Sequence, residues 1–257
     1  LSALFHEGAV ICEAAGDRVL YKEIHERLLV DDEEALDSCV FLNAQNWSTV
    51  PRMMAPLRRM GVAAAAVLDA DVLFEQGLTL VLDAAQVDKD LRDGWLKQRD
   101  GLRDRIAERL GLIGKPVEAT PETGRKKKKL REQEELKFKR ELIATLTAGE
   151  QKIFKALRRS MAEYGVFIVP VGELEDWLAP LGCKPPKDEK SKGKWLREAL
   201  DRLGQDPQSE AYVRPDKGDI WDFMRAINAW ILDPDREGTS LTTRGASPGP
   251  TPARERP

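Results

Sequence analysis

The chain is organised as short apolar runs separated by longer segments in which apolar residues recur every three or four positions. Four of these runs have the length and the continuous apolar character of strands buried on both faces, as in parallel sheets. They lie at 9–12, 39–42, 62–68 and 166–169. Segments with helical spacing, 17–29 and 47–60, separate the first three runs. This alternation predicts an α/β fold with a mostly parallel sheet flanked by helices.

The segment 87–163 lacks a strand pattern and is rich in charged, amphipathic sequence. Helices are predicted over 91–110, 130–146 and 147–164. Thr147 and Glu150 have the three-residue spacing of a capping box, which marks the start of the last of these helices. We interpret 87–163 as an all-helical insertion domain.

The remainder of the chain is predicted to form one discontinuous core from 1–86 and 164–235. After its last strand, helices are predicted over 172–178, 195–203 and 219–232. Residues 236–257 are rich in Gly, Pro, Ser, Thr and Arg and have little apolar surface to bury. They predict a disordered tail.

Length and composition narrow the class of protein. A chain of 257 residues with 42% hydrophobic content can build one sizeable core plus an appendage. The three cysteines are far apart and form no Cys-x-x-Cys or Cys/His cluster, which disfavours zinc and a disulfide framework. Because no apolar run approaches the roughly 18 residues of a membrane span, we expect a cytoplasmic protein with no membrane partner. The chain begins at Leu1, and we expect it to be a fragment of a longer protein.

Two acidic clusters directly follow predicted strands. Glu13 and Asp17 follow the first run, and Asp69 and Asp71 follow the third. The carboxyl ends of parallel strands meet at one edge of the sheet, where ligands bind in open α/β folds. Either cluster alone is common in loops or at helix starts. Together they predict a divalent-metal site, because converging carboxylates repel one another unless a hard cation such as Mg²⁺ or Mn²⁺ lies between them.

The formal net charge of −3 is unevenly distributed. Residues 125–140 carry nine Lys or Arg and three Glu, a local charge of +6. Such a run is more often a solvated face, and the alternative is a surface that follows DNA phosphates. The lysines concerned are Lys126, Lys127, Lys128 and Lys129. A second basic cluster is predicted in a proline-containing loop near the acidic edge, with Lys184, Lys187, Lys190, Lys192 and Lys194. Its position makes this second cluster the better candidate for substrate contact.

At the acidic clusters the chain resembles the Toprim fold, and more closely the Toprim nuclease region of the OLD (overcoming lysogenization defect) family endonucleases, class 2. The matching stretches are VICEAAGDRVLY at 10–21, NAQNWSTVP at 43–51, MGV at 60–62 with VLDAD at 67–71, and VFIVPVGELEDWL at 166–178. The resemblance covers 8–72 and 164–232. Two departures are Ala14, where the family usually has Gly, and Leu73, where a third Asp is usual. This variant is closer to the OLD nucleases than to topoisomerases or primases.

The resemblance implies a DNA endonuclease or nickase that cleaves phosphodiester bonds with two divalent ions, Mg²⁺ or Mn²⁺. The metal ligands expected on this basis are Glu13, Asp17, Asp69, Asp71, Glu173 and Glu175. Asp69 and Asp71 would hold one ion, and Glu13 and Asp17, with help from Glu173 or Glu175, would hold or orient the second. The resemblance also implies a lysine that stabilises the transition state. Lys217 is our first choice for it, with Lys192 or Lys194 as alternatives.

The resemblance also implies partners. DNA is the expected substrate, and the parent protein is expected to carry an ABC-type ATPase domain ahead of this region. The chain itself has no Gly-x-x-x-x-Gly-Lys-Ser/Thr sequence, so it should not bind ATP through a P-loop. A homodimer is one assembly that we consider.

Two rival functions stay open at this point. The stretch AVLDADV at 66–72 also fits a haloacid-dehalogenase-like phosphatase, in which Asp69 would be a covalent nucleophile. That motif normally lies on the first strand, whereas here a strand and an acidic cluster precede it. The other rival is a non-catalytic Toprim-like scaffold that binds nucleic acid or protein and uses its carboxylates for one structural metal.

Overall fold

The computed structural model describes residues 3, 6–31, 36–75, 77–109, 143, 145–172, 174–178, 182–183 and 189–238. Within these residues the strands are β1 (Gly8–Cys12), β2 (Cys39–Asn43), β3 (Ala63–Leu68) and β4 (Val166–Ile168). The helices are α1 (Ala15–Asp31), α2 (Val50–Arg59), α3 (Leu78–Ala84), α4 (Lys89–Arg109), α5 (Ala148–Glu163), α6 (Leu174–Trp177), α7 (Glu189–Leu203) and α8 (Asp219–Leu232). The four predicted strands are confirmed.

The strands form one parallel sheet in the order β2-β1-β3-β4. Cys12 at the end of β1 pairs with Asn43 of β2 on one side and with Val67 of β3 on the other. The chain therefore adds β2 on one side of β1 and then crosses back to add β3 on the other side of β1. The boundary between β1 and β3 is the topological switch point, where open α/β sheets form their ligand-binding crevice.

Residues along each strand alternate between two hydrophobic layers, one on each face of the sheet. Ala9 and Ile11 pack with α2, α3, α4 and α5, whereas Val10 and Cys12 pack with α1, α6, α7 and α8. Both layers are buried, which explains why the strands read as continuous apolar runs and not as alternating ones. The predicted α/β class with a parallel sheet flanked by helices is confirmed, and the arrangement is consistent with a Rossmann-like fold.

The described helices of the segment 87–163 cover one face of the sheet. Trp95, Leu102 and Ile106 of α4 and Phe154 of α5 belong to the same buried layer as β1 and β3. The predicted capping box at the start of α5 is confirmed: Thr147 accepts a hydrogen bond from the Glu150 amide, and the Glu150 carboxylate accepts one from the Thr147 amide. Residues 110–142, including the predicted helix that begins at 130 and the basic run, lie outside the described residues.

Three local features differ from the predictions. Helix α7 begins at Glu189 and not near 195, so Lys192 and Lys194 lie on a helix and not in a loop. The prolines lie before Glu189, and an acidic residue in the first turn favours a helix start. A 3₁₀ turn, Ala70–Phe74, and helix α3 were not predicted, because both are short, with five and seven residues, and show too few turns for a helical spacing. The predicted tail lies outside the described residues beyond 238.

None of the helices in the described part of the chain is both long enough and apolar enough to cross a membrane. The longest of them, α4, has 21 residues and includes many charged side chains. It packs Trp95, Leu102 and Ile106 against the core and presents charged residues elsewhere. Helix α4 is therefore an amphipathic helix that packs its apolar side against the core.

Candidate metal centre at the carboxyl ends of the strands

The structure places Glu13 and Asp69 side by side at the topological switch point. Glu13 directly follows β1, and Asp69 directly follows the neighbouring strand β3. The backbone N–H of Asp69 donates to Oε2 of Glu13 at 3.4 Å. Both side chains are half-buried. Two acidic segments that are 56 residues apart in the chain are thus neighbours in space.

Asp17 lies in the first turn of α1 and folds back toward the end of β1. Its Oδ2 accepts a hydrogen bond from the backbone N–H of Ala14 at 2.8 Å, which satisfies one of the free amides at the helix start. The carboxyl group is buried. Burial raises the pKa of Asp17 to about 6, the Ala14 hydrogen bond opposes this shift, and the charge of Glu175 adds to it.

A loop after β4 brings Glu175 to the same edge. The Val169 amide donates to the Leu68 carbonyl at 2.9 Å, and the Ala70 amide donates to the Gly172 carbonyl at 3.0 Å. These bonds join the chain after β4 to the chain after β3, and helix α6 follows at once. Its Glu175 is buried close enough to Asp17 for the two charges to interact.

Lys192, at the start of α7, lies beside these carboxylates. Its Nζ lies 3.5 Å from Oε1 of Glu175, and its charge lowers the pKa of Asp17. The side chain is 47% exposed, so it reaches from the surface of α7 toward the buried acids. A positive charge therefore lies beside the buried carboxylates at this edge of the sheet.

Asp71 lies in the 3₁₀ turn that follows Asp69. Helix α4 holds this turn from the side: Nη1 of Arg99 donates to the carbonyl of Leu73 at 3.2 Å and to that of Glu75 at 2.9 Å. The guanidinium of Arg99 is buried. A helix of the predicted insertion therefore fixes the backbone of an acidic segment.

The predicted site residues fall into three groups. Glu13 lies beside Asp69, Asp17 lies near Glu175 and Lys192, and Asp71 lies in the turn that follows Asp69. Lys217 lies in an exposed turn before α8, where its amide donates to Oδ1 of Asp216 at 2.7 Å, and Lys194 is exposed on α7. Glu173 and Lys126 to Lys129 lie outside the described residues.

Tyr21 and Trp177 belong to the surroundings of the site and were not predicted. The indole Nε1–H of Trp177 donates to the hydroxyl of Tyr21 at 3.2 Å, and both side chains are buried. Burial raises the pKa of Tyr21 well above its ordinary value of 10, and the charges of Asp17 and Asp69 raise it further. The spacing of Asp17 and Tyr21, four residues on one helix, is the signal in the sequence that places them on one face.

The donor set suits a hard divalent cation. Carboxylate oxygens are the preferred ligands of Mg²⁺ and its relatives, and the raised pKa of Asp17 reflects a buried acid beside a second acid. Among the described residues, which leave out Glu173, no group of three or more His, Cys, Asp or Glu side chains already has the geometry of a metal site. Metal binding here therefore requires carboxylate side chains to turn toward a common point.

Comparisons of the chain with protein-family models, with curated proteins and with solved structures found no match. The resemblance to the Toprim region of the OLD nucleases therefore stays a prediction that depends on the quoted motifs.

Proposed function

We propose that the protein is a divalent-metal-dependent nuclease that hydrolyses phosphodiester bonds of DNA at the carboxyl edge of its sheet. One observation carries this proposal: acids that follow β1, β3 and β4 lie at the carboxyl edge of the sheet, Glu13 beside Asp69 and Asp17 beside Glu175 and Lys192. Carboxylates hold cations, and a cation with a lysine binds phosphate. This combination favours phosphoryl chemistry over binding of an apolar ligand.

The carboxylates have separate roles in this proposal. Asp69 and Asp71 hold one Mg²⁺ or Mn²⁺ ion, and Glu13, Asp17 and Glu175 hold or orient the second, with Glu173 as a further expected ligand. Two such ions would activate the attacking water and stabilise the leaving oxygen of the phosphodiester. The Ala14 amide fixes Asp17, and the Gly172 carbonyl fixes the backbone between Asp69 and Asp71. The ligands are thus held by the ends of rigid elements.

DNA is the proposed substrate because of the charge beside the acids. Lys192, Lys194 and Arg197 are exposed on α7, the helix that borders Glu175. Basic side chains supply the sequence-independent attraction for the phosphate backbone. The basic run with Lys126 to Lys129 would extend this surface.

We further propose that the fold is the Toprim variant of an OLD-family endonuclease. The order β2-β1-β3-β4, with a Glu after β1 and an Asp-x-Asp after β3, supports this assignment. An ABC-type ATPase domain in the parent protein and a homodimer are proposals that depend on the same assignment.

The proposal is tested by incubating the chain with supercoiled plasmid in Mg²⁺, Mn²⁺, Ca²⁺ or EDTA. We expect nicking with Mg²⁺ or Mn²⁺ and none with EDTA, and we expect Asp69→Asn and Asp71→Asn to abolish it. Both variants should fold, because removing one carboxylate from a repulsive cluster costs little stability. The matched control is Asp93→Asn on α4, an exposed acid paired with Arg92, where such pairs contribute little.

The same assay separates the rival functions. A phosphatase with Asp69 as nucleophile would release phosphate from small monoesters and leave the plasmid intact. A non-catalytic scaffold would retard DNA in a gel and cleave neither substrate. Wild-type cutting that is equal in EDTA and Mg²⁺, or unchanged in both Asp variants, would exclude the proposed site.

A further inference from the structure

Arg158 of α5 is anchored at the outer side of β4. Its Nε donates to the carbonyl of Ile168, the last residue of that strand, at 2.8 Å. Strand β4 is the last one in the sheet order, and the carbonyl of Gly165 and the amide of Val169 both bond to β3. Because alternate residues of a strand direct their backbone groups to opposite sides, the Ile168 carbonyl faces away from β3. Arg158 therefore lies on the outer margin of the sheet, level with the end of β4.

The terminal nitrogens of Arg158 differ from those of the buried arginines. The buried ones donate to backbone carbonyls through their terminal nitrogens, and these residues are Arg27, Arg58 and Arg99. Arg158 donates only through Nε, and its guanidinium lies 5.6 Å from the centroid of the Phe154 ring. Within the described part of the chain, neither of its terminal nitrogens donates a hydrogen bond, and it forms no ion pair. Both terminal nitrogens can therefore donate to a ligand.

The surroundings of Arg158 favour an anionic ligand. The side chain is half-buried, and burial lowers the pKa of Arg158 to about 10, so the guanidinium still carries its charge at neutral pH. A charge that is partly removed from water is normally paired with an opposite charge. A guanidinium presents two parallel N–H groups that match two oxygens of a phosphate. A phosphate oxyanion is therefore the kind of ligand that this side chain suits.

The position of Arg158 relative to the acids points to DNA as the source of the phosphate. Ile168 is in register with Leu68, and Asp69 directly follows Leu68. Neighbouring strands are about 4.8 Å apart, so the anchor of Arg158 lies one strand outward from the strand that carries Asp69. Phosphates recur every ~3.4 Å of helix axis along one DNA strand. A DNA strand with one phosphate at the acids would have other phosphates near Arg158.

We propose that Arg158 binds a backbone phosphate of DNA outside the cleavage site, through its two terminal nitrogens. The Ile168 carbonyl and the Phe154 ring hold the side chain in place before DNA arrives. This inference rests on the proposed function, because it takes DNA to be the ligand at this edge of the sheet. Arg158 contributes to DNA affinity and takes no part in breaking the phosphodiester bond.

The test separates the anchor from the charge with Arg158→Gln. The glutamine Nε2 occupies the same place along the side chain as the arginine Nε, so it can still donate to the Ile168 carbonyl while the terminal nitrogens are removed. Fluorescence anisotropy of labelled duplex in EDTA measures affinity without cleavage. We expect affinity at low salt to fall by about tenfold, because hydrogen bonds to a charged group are lost. The slope of log affinity against log salt concentration should become shallower by about one.

Two further variants and a second readout complete the design. Arg158→Lys keeps the charge and should keep the salt slope. Arg159→Gln removes the charge of the exposed neighbour on the same helix and should change affinity by less than about twofold. In nicking assays, Arg158→Gln should raise the DNA concentration for half-maximal rate and leave the rate at saturating DNA close to that of wild type. Thermal denaturation of Arg158→Gln should be close to that of wild type, because the bond to β4 is kept.

Each outcome decides the role of Arg158. Wild-type affinity and slope in Arg158→Gln would limit Arg158 to covering the Ile168 carbonyl and would overturn the inference, whereas nicking by wild type would leave the proposed function intact. Equal losses in Arg158→Gln and Arg159→Gln would show a general effect of charge on α5 and would overturn it too. If wild type binds DNA but does not cut it in Mg²⁺ or Mn²⁺, the nuclease proposal fails and the anisotropy comparison still decides this inference. If wild type does not bind DNA, both fail.

Discussion

The two ends of the sheet differ in the groups that surround a buried charged side chain. At the amino end, Arg58 of α2 is fully buried, and four backbone carbonyls accept its hydrogen bonds. The acceptors are the carbonyls of Ala64, Ala85, Tyr164 and Gly238, at 2.9 to 3.0 Å. The ring of Trp230 covers the guanidinium, 4.9 Å from its centroid. All four of these hydrogen-bond acceptors are neutral groups of the backbone.

At the carboxyl end, Asp17 is buried beside a second acid. One amide donates to it, Glu175 repels it, and Lys192 attracts it from the surface. The pKa values of Arg58 and Asp17 differ accordingly. Burial and the charge of Arg236 lower the pKa of Arg58 to about 9, so the guanidinium is still charged at neutral pH. The pKa of Asp17, about 6, lies close to neutrality, where a bound cation can shift it.

This difference is the one expected between a structural charge, at Arg58, and the functional charge that we propose at Asp17. Buried polar groups with a structural role have their hydrogen bonds supplied by the protein. Like charges that the fold holds together are stable only with a ligand or a proton, and such perturbed groups concentrate at functional sites. The amino end is thus complete as it stands, whereas the carboxyl end would be completed by a cation.

The largest expected effect is on stability at the amino end. Arg58→Met should lower the free energy of unfolding by at least ~3 kcal/mol, because several buried carbonyls lose their donor and each such loss costs about 1 to 3 kcal/mol. Chemical denaturation followed by circular dichroism measures it. The neighbouring Arg59→Met, on the exposed side of the same helix, should change stability by less than about 0.5 kcal/mol. Nicking per folded molecule should be unchanged in both, and equal stability in both would refute the contrast between the two ends.

The second expected effect is on the rate of cutting at the carboxyl end. A cation beside the scissile phosphate acts on charge that develops in the transition state, so its loss should slow cutting by ~10²-fold with little change in DNA affinity. The position of Lys192 beside Glu175 predicts this loss for Lys192→Ala, whereas the motif resemblance predicts it for Lys217→Ala. Single-turnover cleavage of both variants, and of Lys194→Ala for the other alternative on the same helix, decides among the three lysines. Wild-type rates in all three would withdraw the lysine from the mechanism.

The strands and the position of the acidic clusters could be predicted from the sequence, whereas the amino end of the sheet could not, and both outcomes have physical causes. Continuous apolar runs identified the strands, and acids directly after two of them located the candidate site. The sequence did not decide whether Glu173 or Glu175 helps to hold the second ion. The two acids are two residues apart in one short segment, and the sequence does not show which side chain faces the other carboxylates. It missed Tyr21 and Trp177, since a hydrogen bond across 156 residues leaves no periodic signal. It did not predict the four acceptors of Arg58 either, because backbone carbonyls are the same in every residue.

The third prediction concerns pH. Asp17 has an ordinary pKa of 3.8 and a folded value of about 6, so the unfolded chain releases this proton first as the pH rises. Stability should fall between about pH 4 and 6, and the full penalty, about 3 kcal/mol for a shift of this size, is present above that range. Asp17→Asn should therefore be more stable than wild type by about 1 to 3 kcal/mol at pH 7.5 in EDTA, and equally stable at pH 3.5. Denaturation at both pH values measures this.

The surface control Asp93→Asn should show no such pH dependence, because its side chain is 52% exposed. Mn²⁺ should stabilise wild type more than Asp17→Asn, since a ligand that binds only the folded state raises its stability. A variant that is less stable than wild type at pH 7.5 would show that the Ala14 hydrogen bond outweighs the charge penalty. Asp17 would then resemble Arg58 as a structural charge.

The smallest expected effect concerns the basic run at 125–140. It adds to the comparison a group of positive charges that is far in sequence from the acids at the carboxyl end. If Lys126 to Lys129 follow the phosphate backbone, replacing them by Gln should weaken DNA binding at low salt. The slope of log affinity against log salt concentration should become shallower by about one for each phosphate that the run no longer neutralises. Replacing Lys152 and Lys155 of α5 by Gln is the control, because it removes two lysines outside the run. Fluorescence anisotropy of labelled duplex between low and moderate salt measures both slopes. An unchanged slope in the Lys126 to Lys129 variant would make the run a solvated face, and binding would then depend on α7 beside the carboxylates.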